Sequence, residues 1–208
     1  MTPQADLSPS VAALRAAFGA AIERALVSCG DTIVYVAKPR AHEALAWLKD
    51  TPSEKYDLLV DLTAVEYRDR ELPLEVVYQL WSLERRAALR VKIALEKKGA
   101  LEVQSVVDLW KGADWLEREV WDMFGITFAG HPDLRRILMW ENYSEGFPLR
   151  KDFPLRGRFS RAEQVRRALS GDLEKHYSYE ELSIKDAAPL LPAELRDRRS
   201  GGHTLRNG

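Results

Sequence analysis

Cysteine is nearly missing from this sequence, since Cys29 is the only one among 208 residues. One thiolate can neither ligate an iron–sulfur cluster nor complete a zinc finger, because both need several ligands from the chain. It also cannot form a disulfide within the chain, which favours a reducing, cytosol-like compartment. The sequence therefore predicts a chain that binds no cofactor through cysteine.

Long apolar runs are missing as well, and no stretch reaches the length of about 18 residues that a transmembrane helix needs. The first ten residues lack the basic region and the following apolar region of a secretory signal. We therefore expect a protein that reaches a membrane only through its partners.

The sequence also has no excess of charge of one sign, because 31 Lys and Arg residues balance 32 Asp and Glu residues. The net charge of −1 gives no reason to expect a nucleic-acid partner or direct binding to an anionic membrane. No glycine-rich phosphate loop is visible, since Gly201 and Gly202 lie in a polar tail. We therefore do not expect this chain to bind a dinucleotide.

What is present predicts an α+β fold: a two-layer sandwich of a mostly antiparallel sheet with helices, plus an extended C-terminal arm. The apolar fraction of 46% is enough to form a core. The predicted order is helix, strand, helix, three strands and helix, over residues 8–30, 32–36, 39–50, 56–67, 74–83, 89–95 and 115–124.

The first helix is predicted to begin at Ser8 and to end at Gly30, because apolar residues recur at helical spacing as far as Leu26. The three consecutive strands have short connections, which favours an antiparallel meander. In the first of them, apolar residues alternate from Leu58 to Leu62. We expect one face of the sheet to pack under the helices and the other to be partly wet.

The composition of the sequence changes after Trp140, where glycine and proline become frequent and periodic apolar residues become rare. Residues 1–140 are therefore predicted to form an α/β core domain, and residues 141–208 an extended partner-binding arm with a flexible tail. Within the arm we expect a short helix over 160–169 and an extended or disordered stretch over 186–208.

The helix at 115–124 has an apolar stripe and two predicted ends. Asp114 and Glu117 have the spacing of a capping box, and Gly125 follows as a C-terminal stop. The stripe consists of Leu116, Val120, Met123 and Phe124.

Charged residues surround this stripe. Glu119 borders it, and a buried carboxylate there needs a cation, which Arg135 or Arg136 can supply across the turn at residues 130–132. Arg118 and Asp122 lie four residues apart on the opposite side, where an exposed pair contributes only about 0.3–0.5 kcal/mol.

The stretch from Glu117 to Leu138 resembles the signature of the 30 kDa subunit family of respiratory complex I. The shared pattern is Glu-Arg-Glu, two residues, Asp, two apolar residues, six residues, His, three residues, Arg, one residue and two apolar residues. A second segment, residues 146–155, is similar to the Pro-Leu-Arg-Lys-Asp-aromatic-Pro segment of that family, and residues 57–65 are similar to its core strand.

The resemblance implies a place in an assembly rather than a reaction. Members of the family are cofactor-free subunits of the hydrophilic arm of NADH-quinone oxidoreductase. They pack on the 49 kDa (D-type) subunit near the quinone site, close to the terminal-cluster (B-type) subunit and other hydrophilic-arm subunits. FMN and the iron–sulfur clusters lie in partner subunits, and the whole complex carries electrons from NADH to quinone and translocates protons. The expected location is peripheral, on the cytoplasmic side of a cell inner membrane.

The resemblance also nominates residues for a partner interface or a structural signature, with no catalytic, cofactor or metal residue among them. These are Glu117, Arg118, Glu119, Asp122, His131, Arg135, Arg136, Arg150, Lys151 and Asp152. Glu117 and Glu119 do not form a catalytic pair, because positions two apart on a helix diverge by about 200°. His131 is interpreted as a satisfied turn histidine rather than a metal ligand, since the other three histidines are scattered.

Some alternatives remain open at this point. Trp110, Trp115, Trp121 and Trp140 are either core residues or partner anchors. Residues 150–167 hold seven Lys and Arg against two acids, which is either a solvated face or a contact with an acidic surface of the 49 kDa subunit. The function itself has two alternatives: the equivalent subunit of a related membrane-bound hydrogenase or photosynthetic complex, and a free-standing soluble protein.

Overall fold

The computed structural model describes residues 8–68, 70–96, 99, 101–154, 157–160 and 163–164. Three α-helices, seven strands and two short 3₁₀ helices, Gly19–Ala21 and Lys38–Arg40, lie in this part of the chain. The elements are α1 (Pro9–Phe18), β1 (Ile22–Ser28), β2 (Asp31–Val36), α2 (Ala41–Asp50), β3 (Leu58–Glu66), β4 (Leu74–Ser82), β5 (Ala87–Leu95), β6 (Glu102–Gln104), α3 (Ala113–Phe124) and β7 (Thr127–Ala129).

The main sheet has five strands in the order β1-β2-β5-β4-β3, and only the β2–β5 pair is parallel. Strands β6 and β7 form a separate parallel pair. The core joins the inward residues of β2 to β5 with buried residues of all three helices, from Leu14 on α1 to Val120 on α3. The predicted α+β sandwich with a mostly antiparallel sheet is confirmed.

The outer face of the sheet carries polar and charged residues between the strands. Glu75 and Lys92 are buried there and form an ion pair at 2.7 Å, and Arg70 contacts the other oxygen of Glu75 at 2.6 Å. A face with this composition is not packed under helices, in agreement with the expectation of one covered and one partly wet side.

The first helix is shorter than predicted, and the prediction of a helix to Gly30 is wrong. Helix α1 ends at Phe18, and Gly19 follows with a positive φ of 53°. Ile22–Ser28 is a strand that pairs antiparallel with β2. The apolar spacing of these residues suits both a helix and a strand. Pairing with β2, a long-range interaction that local spacing does not reveal, decides between them.

The alternation predicted in β3 is broken by a β-bulge. Leu59 pairs with Leu80 and Asp61 with Gln79, so Val60 is an extra residue on β3. Leu58 and Val60 are exposed, whereas Leu62 lies in the core. An extra residue changes the side of the sheet that the preceding residues face.

Helix α3 begins earlier than the capping-box interpretation required. Its N-cap is Gly112, with no side-chain hydrogen bond, and the carboxylate of Glu117 bonds to a different segment. The predicted capping box is therefore wrong. The stripe is confirmed, since Val120, Met123 and Phe124 are buried and Leu116 packs against the core. Gly125 ends the helix in the left-handed conformation, as predicted.

Part of the predicted arm returns to the C-terminal end of α3. The backbone N–H of Leu149 donates to Met123 O at 3.2 Å, and Arg150 Nε donates to Phe124 O. The N–H of Lys151 donates to the buried carboxylate of Glu66 at 2.6 Å. Leu149 and Arg150 thereby supply donors to carbonyls at the end of α3 that lack partners within the helix.

The division at residue 140 stays a prediction. Most of the helix expected over 160–169, and all of the stretch expected over 186–208, lie outside the described residues.

Substitution at Gly125 should disturb the packing of the segment that returns to the end of α3. The φ of Gly125 is +70°, and a Cβ added there would overlap the ring of Phe147. We expect Gly125→Ala to lower the free energy of unfolding by about 2–5 kcal/mol. About 1–2 kcal/mol comes from the left-handed backbone and the rest from overpacking. Urea unfolding followed by circular dichroism measures this.

Gly130→Ala is the matched control, since Gly130 has φ +85° and open space around it. It should cost only the backbone part, about 1–2 kcal/mol. Equal costs at the two positions would show that the ring of Phe147 does not rest on Gly125. The double variant Gly125→Ala/Phe147→Ala should be less destabilised than the sum of its two parents.

Candidate functional site

The signature helix α3 buries two carboxylates, on Glu117 and Asp122, and each is fully shielded from solvent. The two residues are five apart, so their side chains leave the helix about 140° from each other. Each one binds a different loop. The site therefore consists of α3, the turn before it at residues 105–110 and the return loop after it at residues 130–140.

The Asp122 carboxylate collects four donors from the return loop. Arg136 Nη1 forms an ion pair with Oδ1. The backbone N–H groups of Ile137, Leu138 and Met139 donate to Oδ2 at 3.2, 2.9 and 2.8 Å. A buried carboxylate is tolerated only when its oxygens are satisfied in this way, and here a single side chain fixes three consecutive peptide groups.

Arg136 is enclosed by aromatic rings as well as by its ion pair. Its guanidinium lies 5.4 Å from the ring centre of Trp121 and 5.3 Å from that of Tyr143. Its Nη2 donates to Tyr143 O at 3.0 Å, and the Tyr143 ring meets Trp140 edge to face. The planar guanidinium thus joins the helix, the loop and the residues after Trp140.

Arg118 binds the same loop through its carbonyl groups. Its Nε donates to Arg135 O at 3.2 Å and its Nη2 to Arg136 O at 3.1 Å. Both Arg118 and Asp122 are buried, so the prediction that they form an exposed pair on the outer side of the helix is wrong. The return loop covers both residues, and the sequence pattern did not reveal this.

The cation expected for Glu119 binds elsewhere. Glu119 is exposed, and Arg136 pairs with Asp122, one turn further along the helix. Arg135 Nε lies 2.8 Å from Asp133 Oδ2 on the loop itself. The sequence correctly predicted that the turn at 130–132 brings an arginine back to the helix, but it indicated the wrong carboxylate.

Glu117 ties α3 to the preceding turn. Ser105 Oγ donates to Oε2 and the N–H of Val106 donates to Oε1, both at 2.7 Å. Burial raises the pKa of this carboxyl, and the two hydrogen bonds and nearby His131 oppose that shift. Since Glu117 is enclosed while Glu119 is exposed, the two glutamates do not converge, as expected from their spacing.

His131 is a satisfied turn histidine, as predicted. Its Nδ1 accepts from the N–H of Asp133 at 3.0 Å, so in the neutral ring the proton is on Nε2. Nε2 is 3.2 Å from Asp114 O and 4.0 Å from Glu117 Oε2. The ring therefore closes the loop against the first turn of α3. Among the described residues, no three side chains converge as a metal site would require.

The second segment that resembles the family, residues 146–155, is partly in contact with the core and partly exposed to solvent. Arg150 is partly buried and its guanidinium lies 4.8 Å from the centre of the Phe147 ring, while the side chains of Lys151 and Asp152 are exposed. Glu66 and Ser105 bind this site from distant positions and were not predicted from the sequence. No local signal marks Glu66, because an acid at a strand end is usually exposed.

The four tryptophans have different environments. Trp110 is buried in the core, and Trp121 and Trp140 are partly buried beside Arg136 and Tyr143. Trp115 is 61% exposed, with the Arg118 guanidinium 5.2 Å from its ring. The open choice between core and anchor is thus settled for Trp110, and Trp115 is the only one of the four left exposed in the described structure.

Comparison with known proteins finds a match between residues 34–159 and the model of the family described as respiratory-chain NADH dehydrogenase, 30 kDa subunit. The second C-type subunit of NADH-quinone oxidoreductase in Rhizobium etli is 46% identical over 140 residues, which are 67% of this chain and 73% of that protein. The combined C/D-type subunit of NADH-quinone oxidoreductase in Acidiphilium cryptum is 46% identical over 127 residues, 58% of this chain but only 21% of that longer protein.

A solved structure shares the fold. It is a trypsin-resistant fragment, residues 1–134, of Nqo5, with 29% identity and a TM-score of 0.53. The match covers 60% of this chain and 96% of the fragment.

Removal of the Asp122 carboxylate should be strongly destabilising. Asp122→Ala leaves the Arg136 charge and three N–H groups without their acceptor, and we expect a loss of about 3–5 kcal/mol in the free energy of unfolding. Glu119→Ala on the exposed side of the same helix is the control and should change it by less than about 0.5 kcal/mol. Similar small effects for both variants in urea unfolding would contradict this account.

Glu117 should make stability depend on pH in a defined direction. Its pKa is raised in the folded state, so between the ordinary carboxyl value and the raised value the folded protein binds more protons than the unfolded chain. Stability attributable to this group therefore falls as the pH rises through that window. Urea unfolding of the wild type and Glu117→Gln across the window, compared at each pH, isolates the effect.

The amide of Glu117→Gln can accept from the N–H of Val106 and donate to Ser105 Oγ, so the fold should persist. The variant should gain stability relative to the wild type as the pH increases. A constant difference at all pH values would disprove the assignment. Glu117→Ala serves as the control for the hydrogen bonds, with a loss of about 2–4 kcal/mol because Val106 and Ser105 lose their partner.

Proposed function

The chain belongs to the 30 kDa subunit family of respiratory-chain NADH dehydrogenase, and we propose that it is a non-catalytic, cofactor-free structural subunit of the hydrophilic arm of that enzyme. Its relatives are subunits of NADH-quinone oxidoreductase. The complex as a whole would pass electrons from NADH through FMN and iron–sulfur clusters to quinone and translocate protons. This chain would help to hold the subunits that carry those centres.

The proposal rests on one observation: three signature residues of α3 are buried and bind the chain on either side of the helix. Asp122, Glu117 and Arg118 are buried, and their hydrogen bonds go to the turns on either side of α3. General acid–base catalysis needs a side chain within reach of a substrate. Carboxylates enclosed and bonded in this way support a framework role better than a catalytic role.

The ligands available in the chain support the proposal that it binds no iron–sulfur cluster. Its single cysteine, Cys29, is exposed, and one thiolate is too few for a cluster. None of the helices in the described part of the chain has the length and apolar character of a membrane span. We therefore propose a peripheral position, on the cytoplasmic side of a bacterial inner membrane, with attachment through other subunits.

The 49 kDa subunit is the proposed main partner. The Acidiphilium relative is named as a C/D-type protein, and this chain matches about a fifth of its length, so the two parts occur there in one polypeptide. The C/D-type protein of Azotobacter vinelandii matches in the same way over 161 residues, 27% of its length. Fusion keeps two parts at high effective concentration, which favours partners that are always together. The terminal-cluster subunit is the second proposed neighbour.

A tagged chain tests the proposal. It is purified from mildly solubilised membranes, the co-purifying chains are identified by mass, and NADH-quinone activity is assayed in the eluate. We expect the 49 kDa and terminal-cluster subunits together with NADH oxidation. The same neighbours with hydrogen-evolving activity in place of NADH oxidation would assign the chain to a related membrane complex. Recovery of the chain alone, as a soluble monomer, would refute the assembly role.

Exposed signature residues should act in assembly rather than in folding. Glu119→Ala should leave the unfolding transition of the isolated chain unchanged and lower the amount of assembled, active complex in membranes. Glu43→Ala is the control: it removes an exposed ion pair between Glu43 and Arg40, so it should change the free energy of unfolding by less than about 0.5 kcal/mol and leave assembly unchanged. Normal assembly with Glu119→Ala would remove this residue from the proposed interface.

A further inference from the structure

We propose that His131 is an acid-sensitive latch on the return loop. When its ring takes up a proton, the exposed turn at Pro132 and Asp133 is released, while the loop after that turn stays in place. This inference goes beyond the assembly role, because it concerns how the surface of this chain responds to pH whatever protein lies beside it. It rests on the partners of the two ring nitrogens.

The His131 ring is held firmly against α3. Its side chain is fully shielded from solvent, and its backbone N–H donates to Phe128 O at 3.2 Å. Nε2 donates to Asp114 O in the first turn of the helix, also at 3.2 Å. These contacts fix the ring from two sides, so the turn that follows depends on what the ring offers it.

Nδ1 of the ring is the acceptor for the turn. The N–H of Asp133 donates to it at 3.0 Å, and Pro132, between the two residues, has no N–H to donate. The neutral ring can accept this bond because its proton is on Nε2, whereas in the protonated ring Nδ1–H and the N–H of Asp133 would be two donors facing each other. Asp133 is exposed, so its N–H can bond to water once the turn moves away.

Carboxylates on α3 favour the charged ring. Asp114 Oδ1 is 3.5 Å and Glu117 Oε2 is 4.0 Å from Nε2, and acids this close stabilise an imidazolium. Burial raises the pKa of Glu117, and its two hydrogen bonds and His131 oppose that shift, so the two side chains interact within the fold. Protonation therefore strengthens the contact of the ring with α3 at the same time as it breaks the contact with Asp133.

The other charged or titratable groups around this pair come from three elements. Asp108, in the turn before α3, raises the pKa of Glu117 further. Tyr78 on β4 is buried, and burial together with the Glu117 charge raises the pKa of its hydroxyl, which therefore stays neutral. On the loop, Asp133 pairs with Arg135 at 2.8 Å, so the two charges offset each other. The surroundings of the ring in the described structure are therefore acidic rather than basic.

The loop after the turn has separate attachments. Arg118 donates to the carbonyl groups of residues 135 and 136, and Asp122 accepts from the N–H groups of residues 137–139. None of these five bonds involves His131. Protonation of the ring should therefore free residues 132–133 and leave residues 135–139 bound to α3.

Amide hydrogen exchange of the full-length chain, measured by NMR between about pH 8 and about pH 5, tests the latch. Each rate is expressed as a protection factor, which removes the ordinary effect of pH on amide exchange. The ring nitrogen signals of His131 follow its protonation in the same samples. We expect protection of the Asp133 amide to fall at least tenfold as the ring becomes protonated, while protection of the Leu138 amide, which is bound to Asp122, stays constant.

His131→Asn is the matched variant. An asparagine side-chain oxygen accepts readily from the N–H two residues further on and does not titrate, so protection of Asp133 should be constant over the whole pH range. Glu117→Gln removes one of the carboxylates beside Nε2, and the change at Asp133 should then occur at a lower pH than in the wild type. A ring that only fills space would give no such shift.

Constant protection of Asp133 in the wild type while the ring is protonated would overturn the inference, and so would a ring that stays neutral down to about pH 5. An equal loss at Leu138 would show a general opening instead of a latch. The same loss in His131→Asn would assign the effect to another group. Should that variant fail to fold, the two amides and the ring signals of the wild type decide the question by themselves.

Discussion

The carboxylate of Asp122 is the group on which the signature region depends most. It is fully buried, and it is bound by Arg136 and by three consecutive peptide N–H groups. Loss of a donor would leave this buried charge less well compensated, so the four contacts strongly favour one path for the loop after the helix. The path of that loop in turn decides where Leu138 is displayed and where the chain continues toward Tyr143.

Glu117 holds the chain in the same way on another side of α3. It binds the turn at Ser105 and Val106, and it lies next to His131, which closes the return loop on the first turn of the helix. An acid on each side allows one short helix to hold the chain both before and after it. This explains in physical terms why the helix carries charged residues on its buried surfaces: they act as acceptors and donors for backbone groups that no sheet or helix satisfies.

The segment after Trp140 extends this arrangement. Leu149, Arg150 and Lys151 donate to Met123 O, Phe124 O and Glu66. The ring of Phe147 rests where Gly125 has no side chain. The part of the predicted arm nearest to the core thus completes the end of α3.

Much of this architecture follows from local sequence pattern. The alternation in β5, the apolar stripe of α3 and the stop at Gly125 predicted their elements correctly, because strand and helix periods and a left-handed glycine are local properties. The turn at residues 130–132 was likewise sufficient to predict that an arginine returns to the helix.

Other features depended on contacts between distant residues, and no local period encodes them. The choice of strand for Ile22–Ser28 depended on pairing with β2, and the bulge at Val60 on its register with β4. Which acid is buried and which arginine meets it also required the tertiary structure, because burial is produced by the element that covers a residue. The sequence by itself determined the family, the layer architecture and the charged residues available. Only the fold decided that Asp122 and Glu117 are enclosed while Glu119 and Trp115 stay exposed. The return loop covers Asp122 and the turn before α3 covers Glu117, and a residue on the helix is buried only where another element lies over it.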